Sequence, residues 1–291
     1  MNILLKNSDL LVEIRELGAE IVQIKNLHND LAYIWHGDPK YWSGHAPVLF
    51  PIVGNVANGE IRVDGITYQL KNHGFARKET FELVSQNNTT AQFKLISSER
   101  TLSVFPYHFE LVITYTLANN QLNIDYLVNN IDSRDIYFQL GTHTAINCPI
   151  NKESAFQDYF LDFEEPETLI RYFMAEGNVF KENESEIVIE DETLLPLNHS
   201  LFYDGSLIMK ETNSNKVTLK NYLTDHQVVF TYTNFPTMVL WQPKDAPFIC
   251  IEPWHGYPDT EGFIGEFKER DKVISLQPNQ RFQASLHLQI F

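Results

Sequence analysis

The 291-residue chain is 43% hydrophobic and 13% aromatic, a composition that supports a large packed core and excludes a disordered chain. Asp and Glu outnumber Lys and Arg by 38 to 22, so the formal net charge is −16 and the isoelectric point is about 5.0. This charge makes nucleic acid and an anionic membrane surface poor partners, and it favours a small neutral ligand.

The N-terminus and the two cysteines indicate a cellular compartment. Residues 6–9 are polar, whereas a secretory signal needs an unbroken apolar run there. No apolar stretch approaches the length of a membrane span. Cys148 and Cys250 lie in separate strand-like segments and form no CxxC pair, so a disulfide between them stays open. We expect a reduced, cytoplasmic protein.

Short strand-like segments joined by tight turns fill the first half of the chain. Residues 10–14 and 19–24 are β-branched segments with the spacing of an antiparallel pair. In residues 61–70, Asp64-Gly65 separates two β-rich arms, which is the preferred sequence of a two-residue hairpin turn. Residues 81–96 and 109–128 repeat the hairpin pattern, and their apolar and polar residues alternate.

The second half continues this pattern after one looser region. Between residues 151 and 200 acidic residues crowd 182–186 and 190–192, and we expect short strands and a solvated surface there. Strands resume at 207–209, 216–219, 227–232, 238–241, 248–251 and 281–291. No stretch has a sustained helical period and no Gly/Ser linker divides the chain. The sequence therefore predicts an all-β fold, an antiparallel β-sandwich, in one domain that spans residues 1–291.

Glu252 is an ionisable carboxylate held at a rigid strand end. It follows the apolar run 247–251 and precedes Pro253, and both the proline and its predecessor have restricted backbone angles. Trp254 and His255 come next, and aromatic side chains with polar tips suit a pocket for a ligand such as a sugar. The alternative is a capping or ion-paired glutamate at the rim of a sheet.

Three other segments combine polar residues with glycine. In 72–77, His73 and Arg77 can donate hydrogen bonds to hydroxyl groups, or the loop can bond to its own backbone. In 140–149, His143 can give or take a proton, or it is a core-edge histidine bonded to a carbonyl. In 203–206, Asp204 can accept from sugar hydroxyls, or it makes an Asx turn.

Several classes of chemistry lack their motifs. The sequence has no GxGxxG, P-loop, GxSxG, HExxH or paired CxxC. A glycosidase needs two carboxylates beside the scissile bond, whereas the neighbouring candidates of Glu252 are histidines. The histidines are too scattered to predict a metal site.

Taken together, the motifs at 73–77 (His-Gly-Phe-Ala-Arg), 141–143 (Gly-Thr-His) and 250–254 (Cys-Ile-Glu-Pro-Trp) resemble the aldose 1-epimerase (galactose mutarotase-like) family. Their order and spacing match through nearly the whole chain, closest to its LacX-like branch. The resemblance implies a galactose mutarotase-like β-supersandwich of antiparallel sheets with a sugar site in an open cleft. It also implies an isomerase that interconverts the α and β anomers of an aldose without a cofactor.

The same resemblance implies roles for the candidate residues. Glu252 would be the base that takes the proton from the C1 hydroxyl, and His143 the acid that protonates the ring oxygen. His73 would hydrogen-bond the ring oxygen or an adjacent hydroxyl. Arg77 and Asp204 would fix hydroxyl groups.

Asn55 and Arg77 mark a departure from the family pattern. Asn55 stands where well-studied galactose mutarotases carry an arginine, so hydroxyl recognition must differ. The arginine in 73–77 resembles the hexose-6-phosphate mutarotases, so Arg77 either compensates for the missing arginine or binds a phosphate. Trp241 and Gln242 could line the cleft, although simple packing is the expected role.

Three functions therefore stay open: a mutarotase of a free hexose, a mutarotase of a hexose 6-phosphate, and a noncatalytic carbohydrate-binding or sensor protein. In each case the partner is a small-molecule sugar, with no nucleic acid and no membrane. The oligomeric state is open between monomer and homodimer, because a long β chain can pair across an exposed edge strand.

Overall fold

Antiparallel strands make up most of the fold. The computed structural model describes residues 2–291, and the pairs of named strands in it are all antiparallel. The strands are β1 (Asn2–Lys6), β2 (Leu10–Arg15), β3 (Glu20–Asn26), β4 (Val48–Leu49), β5 (Glu60–Val63), β6 (Ile66–Gln69), β7 (Glu82–Gln86), β8 (Thr90–Ile96), β9 (Phe109–Ala118), β10 (Gln121–Asn130), β11 (Ile136–Phe138), β12 (Leu140–Thr142), β13 (Thr144–Asn147), β14 (Tyr159–Met174), β15 (Phe180–Pro196), β16 (Leu207–Met209), β17 (Lys216–Asn221), β18 (Val228–Thr233), β19 (Thr237–Trp241), β20 (Phe248–His255), β21 (Ile274–Leu276) and β22 (Arg281–Ile290).

Helical structure is limited to single turns. The α-helical turn α1 (Glu99–Leu102) begins after Ser98, whose hydroxyl accepts from the Thr101 backbone N–H in a capping box. The 3₁₀ turns are Ala57–Gly59, Ala76–Lys78, Phe156–Asp158, His199–Phe202 and Phe267–Glu269. No helix within residues 2–291 is long and apolar enough to cross a membrane.

One 15-stranded sheet contains most of the strands. Its order is β4-β12-β20-β19-β16-β14-β17-β18-β22-β10-β9-β8-β7, and β13 and β15 join it by pairing with β20 and β14. The smaller sheets are β1-β2-β3, β5-β6 and β11-β21. The prediction of an all-β fold built from antiparallel sheets is therefore confirmed.

Alternation of buried and exposed residues along the strands builds the core. On β9, for example, Phe109, Leu111 and Ile113 are buried and the residues between them are half-exposed. Each such apolar side chain contributes about 1.5–3 kcal/mol when it is fully buried. One cluster of buried apolar side chains contains residues from Ile3 to Ile290. This cluster agrees with a single domain over residues 1–291, which stays a prediction.

The Asp64-Gly65 hairpin is confirmed in its details. Val63 pairs with Ile66, so the loop between β5 and β6 has two residues. Asp64 and Gly65 have φ angles of 51° and 78°, the positive values that a type I′ turn requires. The hairpins β7–β8 and β9–β10 also form where the alternating pattern predicts them.

The expectation of short strands between residues 151 and 200 is wrong. This region forms the hairpin of β14 and β15, with 16 and 17 residues. β15 is exposed along most of its length, and β14 is its only partner among the named strands, so no buried face imposes an alternating pattern on its sequence. The acidic residues do lie on a solvated surface, as expected.

The two cysteines are buried and free. Cys148 and Cys250 are both 0% exposed and form no disulfide. Burial raises the pKa of both thiols well above 9.0, which keeps them protonated.

Candidate active site

A cavity of about 460 Å³ opens over the large sheet where β16, β19 and β20 run side by side. Its volume lies in the usual range of small-molecule sites. Ile208, Val239 and Glu252 line it from these three strands, and loops supply most of the other residues. The lining residues are Trp42, Gly54, Asn55, Asn72, His73, Arg77, His143, Met174, Asn178, Gly205, Ser206, Ile208, Val239, Trp241, Glu252, Trp254 and Pro258.

His143 and Glu252 are brought together by strand register. β12 and β13 both pair with β20, and positions 141 and 144 pair with positions 254 and 251. The register is the same on both sides of the gap between β12 and β13, so His143 in that gap lies directly opposite Glu252. Directly opposite side chains project from the same face of a sheet. His143 Nε2 lies 3.4 Å from Glu252 Oε2.

Burial controls the protonation of this pair. The side chains of His143 and Glu252 are only 9% and 1% exposed, and Glu252 Oε2 has no hydrogen-bond partner. Burial raises the pKa of the Glu252 carboxyl well above 4.5, partly offset by the Trp254 indole N–H. Burial and then the charge of Arg77 lower the pKa of His143 from 6.5 to about 3. Both shifts favour the neutral forms, in which the pair has one titratable proton, on Glu252.

His73 is held at the cavity by a reciprocal pair of hydrogen bonds with Gly54. The His73 backbone N–H donates to Gly54 O at 2.8 Å, and the Gly54 N–H donates to His73 Nδ1 at 2.9 Å. Because Nδ1 accepts, the proton of the neutral ring is on Nε2, which is free to donate. Burial, His143 and Arg77 lower the pKa of His73 well below 6.5, so the ring is neutral.

Gly74 lets the loop that carries His73 pack closely against Phe50, the residue that follows β4. Its φ is +67°, and a Cβ there would lie 2.2 Å from Phe50 O. The same carbonyl accepts from the backbone N–H groups of Phe75 and Ala76 at 3.0 and 3.1 Å. Only glycine fits this approach, which places His73 and Arg77 at the cavity.

Arg77 is a half-buried cation at the cavity without a carboxylate partner. Its Nη2 donates to Asn72 O at 2.8 Å, and its Nε is buried with no partner. No ion pair within residues 2–291 includes Arg77. Burial lowers the pKa of Arg77 and the charge of Glu20 opposes this, but a guanidinium stays charged in proteins. Asn55, also half-buried, lines the cavity as well.

The structure separates Asp204 from the other candidates. Asp204 is exposed and does not line the cavity, although its neighbours Gly205 and Ser206 do. Its expected contact with sugar hydroxyls therefore has no support from the cavity. Trp241 lines the cavity, whereas Gln242 is buried and donates to two backbone carbonyls of the following segment.

Three indoles form the aromatic part of the lining. The Trp42 ring stacks on His143, with centroids 4.7 Å apart and planes at 25°. Trp241 meets His143 edge-on at 5.4 Å, and Trp254 meets His73 at 5.6 Å. The sequence analysis missed Trp42, because the only local signal was the presence of this aromatic residue close to Gly44 in a turn.

The tip of the β14–β15 hairpin lines another part of the cavity. Met174 and Asn178 line it from this tip, and Asn178 O accepts from Asn55 Nδ2 at 3.4 Å. The Phe180 N–H donates to Asp259 O at 2.8 Å, which ties β15 to the segment after β20. No pattern within residues 174–178 indicated this position, because it depends on the pairing of β14 with β16 in the large sheet.

One group of side chains near the cavity could offer metal ligands. His143, Cys250 and Glu252 each have a donor atom within 4.8 Å of the others. Cys250 does not line the cavity, and its thiol is protonated for the reason given above. The expectation that no metal takes part stays a prediction.

Comparison with known proteins identifies the family of this chain. The family model for aldose 1-epimerase matches residues 1–289. The chain belongs to the aldose 1-epimerase family. It is 31% identical to the chromosomal protein LacX of Lactococcus lactis subsp. lactis over 297 aligned positions, which cover 97% of each chain.

Solved structures of similar proteins share the whole fold. A galactose mutarotase related enzyme from Lactobacillus acidophilus is 30% identical, with a TM-score of 0.94, over 100% of this chain and 97% of the other. A galactose mutarotase-like protein from Lactobacillus casei ATCC 334 is 30% identical, with a TM-score of 0.93, over 100% of both chains. The galactose mutarotase-like fold predicted for this aldose 1-epimerase family member is therefore confirmed.

Proposed function

We propose that the protein is an aldose 1-epimerase that interconverts the α and β anomers of a hexose without a cofactor. The observation that carries the proposal is the buried pair of His143 and Glu252, 3.4 Å apart at a cavity lined by indoles, amides and a hydroxyl. A sugar has apolar C–H faces and polar hydroxyls, and such a mixed lining suits both. Membership of the aldose 1-epimerase family supports the same reaction class.

The proposed reaction moves two protons. A base removes the proton of the C1 hydroxyl, the bond from C1 to the ring oxygen breaks, and an acid protonates the ring oxygen. Rotation about C1–C2 and the reverse steps close the ring as the other anomer. Each such proton transfer typically contributes about 10²- to 10⁴-fold. The sugar is neutral before and after, so one base and one acid are sufficient.

We assign Glu252 as the base and His143 as the acid in the sugar-bound state. The neutral pair and the ion pair of these two groups hold the same number of protons. Hydrogen bonds from sugar hydroxyls favour the carboxylate form of Glu252, which moves the proton to His143. The charge of Arg77 opposes this transfer, because it lowers the pKa of His143. His73 Nε2–H would donate to the ring oxygen or to an adjacent hydroxyl.

Arg77 supports a second candidate, in which the substrate is a hexose 6-phosphate. It is a guanidinium at the cavity with a buried Nε that lacks a partner, and it makes no ion pair within residues 2–291. Guanidinium groups bind phosphate with paired, charge-assisted hydrogen bonds. The overall charge of −16 opposes an anionic substrate, although the local potential decides.

Polarimetry or NMR exchange spectroscopy on freshly dissolved α-D-glucose and α-D-galactose tests the proposal. We expect faster anomer exchange with the natural protein and none with Glu252→Gln. Glu192→Gln makes the same chemical change at an exposed position and should keep full activity.

The measurement is then repeated with glucose 6-phosphate and galactose 6-phosphate. Acceleration of these alone favours the second candidate. If a sugar binds while its anomers exchange only at the buffer rate, the proposal fails and a noncatalytic sugar-binding role replaces it.

A further inference from the structure

His143 lacks the hydrogen bond that usually orients a functional histidine. In most such sites the ring nitrogen away from the reaction donates to a carbonyl or a carboxylate, which fixes the tautomer and the ring plane. His143 Nδ1 is buried and makes no hydrogen bond to another residue. Its Nε2 faces Glu252 Oε2 at 3.4 Å, a contact that is not a hydrogen bond. Contacts other than hydrogen bonds to neighbouring residues therefore position this ring.

Aromatic rings surround the imidazole instead. The Trp42 indole lies nearly parallel to it, with centroids 4.7 Å apart. Trp241 and His73 meet it nearly at right angles, at 5.4 and 5.5 Å. Stacked and edge-on ring pairs have preferred geometries, so three of them restrict the tilt and the rotation of a ring. Of these three rings, the Trp42 indole is the one that lies over a face of the imidazole.

Trp42 is itself firmly held. Its carbonyl accepts from the buried Trp35 indole N–H at 2.8 Å. A few residues on, the buried Glu20 carboxylate accepts from the backbone N–H groups of His45 and Ala46 at 2.8 and 2.9 Å. The indole also lies across Gly44, where a Cβ would come within 2.4 Å of it. A segment held in this way fixes the position of the Trp42 indole against the imidazole.

We propose that Trp42 is a positioning residue for His143: its indole holds the imidazole opposite Glu252 and keeps water from its face. The inference rests on the proposed function only for its kinetic consequence. Its structural consequence concerns the ring of His143 and needs no sugar.

Loss of the indole changes the surroundings of His143. The titratable and charged groups that face this ring are Glu252, His73, Arg77 and Cys250. Burial is the larger reason why the pKa of His143 is about 3, and the charge of Arg77 is the second. Water admitted at the Trp42 face removes part of the burial, so the pKa should rise toward 6.5.

The experiment compares Trp42→Leu, Trp42→Phe and the control Tyr41→Leu. Tyr41 lies in the same segment and does not line the cavity. The His143 pKa is measured by NMR titration of the ring without sugar, and kcat and KM are measured with the sugar that responds. For Trp42→Leu we expect a pKa higher by at least about one and kcat lower by about 10- to 100-fold, with KM changed less than about 3-fold. Trp42→Phe should keep most of the wild-type kcat and a His143 pKa near the wild-type value. Tyr41→Leu should change neither kcat nor this pKa.

Gly44→Ala provides a second route if Trp42→Leu does not fold. The added methyl group displaces the indole but leaves Trp42 in the chain, and the expected changes have the same direction. A wild-type His143 pKa in whichever of these two variants folds overturns the inference. So does a change confined to KM, because Trp42 would then be a surface for the sugar. If no sugar responds, the proposed function fails, while the NMR titration still decides the role of Trp42.

Discussion

His143 and Glu252 are directly opposite each other on antiparallel neighbours, and Nε2 of one lies 3.4 Å from Oε2 of the other. β20 supplies the carboxylate, and the gap between β12 and β13 supplies the imidazole. The large sheet therefore sets the separation of the two groups, because the register of three strands fixes it. Strands hold reacting groups more precisely than loops do.

Replacing Glu252 by glutamine should separate activity from stability. The expected loss of anomer exchange is at least about 10²-fold, because an amide cannot accept the C1 hydroxyl proton. The free energy of unfolding should stay equal or rise, because the buried carboxylate oxygen has no hydrogen-bond partner to lose. Urea denaturation measures the second quantity. A variant that keeps wild-type exchange rates would contradict the proposed role of Glu252.

The pH dependence of the reaction should reflect the depressed pKa of His143. The pair of His143 and Glu252 carries one titratable proton, and a second proton binds His143 only near pH 3, instead of near 6.5 for an ordinary histidine. The enzymatic rate should therefore stay nearly flat as the pH falls from 7 to about 5. Exchange rates corrected for the buffer reaction test this at constant ionic strength. An acid limb centred near 6.5 would contradict the neutral state of His143.

Arg77 should matter more for a phosphorylated sugar than for a free one. For Arg77→Met we expect kcat/KM to fall about 10- to 100-fold with a hexose 6-phosphate, because hydrogen bonds to charged groups are worth about 1.5–3 kcal/mol. With the free hexose the loss should stay below about 5-fold. Arg77→Lys keeps the charge and should recover part of the phosphate-specific activity. Equal losses with both sugars would assign Arg77 to ordinary hydroxyl recognition.

Gly74→Ala should destabilise the protein more than Gly65→Ala. Both glycines have a positive φ, +67° and +78°, so both substitutions carry a backbone cost of about 1 kcal/mol. Only at Gly74 does the new Cβ meet another atom, Phe50 O at 2.2 Å, whereas nothing lies within 4 Å at Gly65. We expect an additional loss of about 2 kcal/mol at Gly74. Equal unfolding midpoints of the two variants would show that the loop moves away freely.

Much of the fold and part of the site could be predicted because their signals are local. A two-residue turn at Asp64-Gly65 and alternating strands are visible in short windows of sequence. Glu252 was recognisable because Pro253 follows it at the end of an apolar run. The opposition of His143 to Glu252 was not visible in the residues themselves, because it depends on the register of strands more than 100 residues apart in the chain.

The residues that sequence analysis missed enter the cavity through tertiary structure. Trp42 reaches His143 because buried groups elsewhere hold its segment in place. Asn178 lies at the tip of the β14–β15 hairpin, and the exposed strand β15 that follows it has no buried face to impose a recognisable pattern. Asp204 differs from these residues, because its side chain is exposed and does not line the cavity, and its contact with a sugar stays a prediction.

The acidic face of β15 bears on how copies of this protein meet in solution. Within residues 2–291, β14 is the only named strand that pairs with β15, and the other edge of β15 bonds to the segment after β20 at Phe180. Beyond Phe180 this edge could accept a strand that approaches. Exposed carboxylates lie along it at Glu182, Glu184, Glu186, Glu190, Asp191 and Glu192. Two such edges repel each other before their backbones can join. Much of the surplus negative charge of the chain thus acts as a colloidal barrier, which acid or concentrated salt would lower.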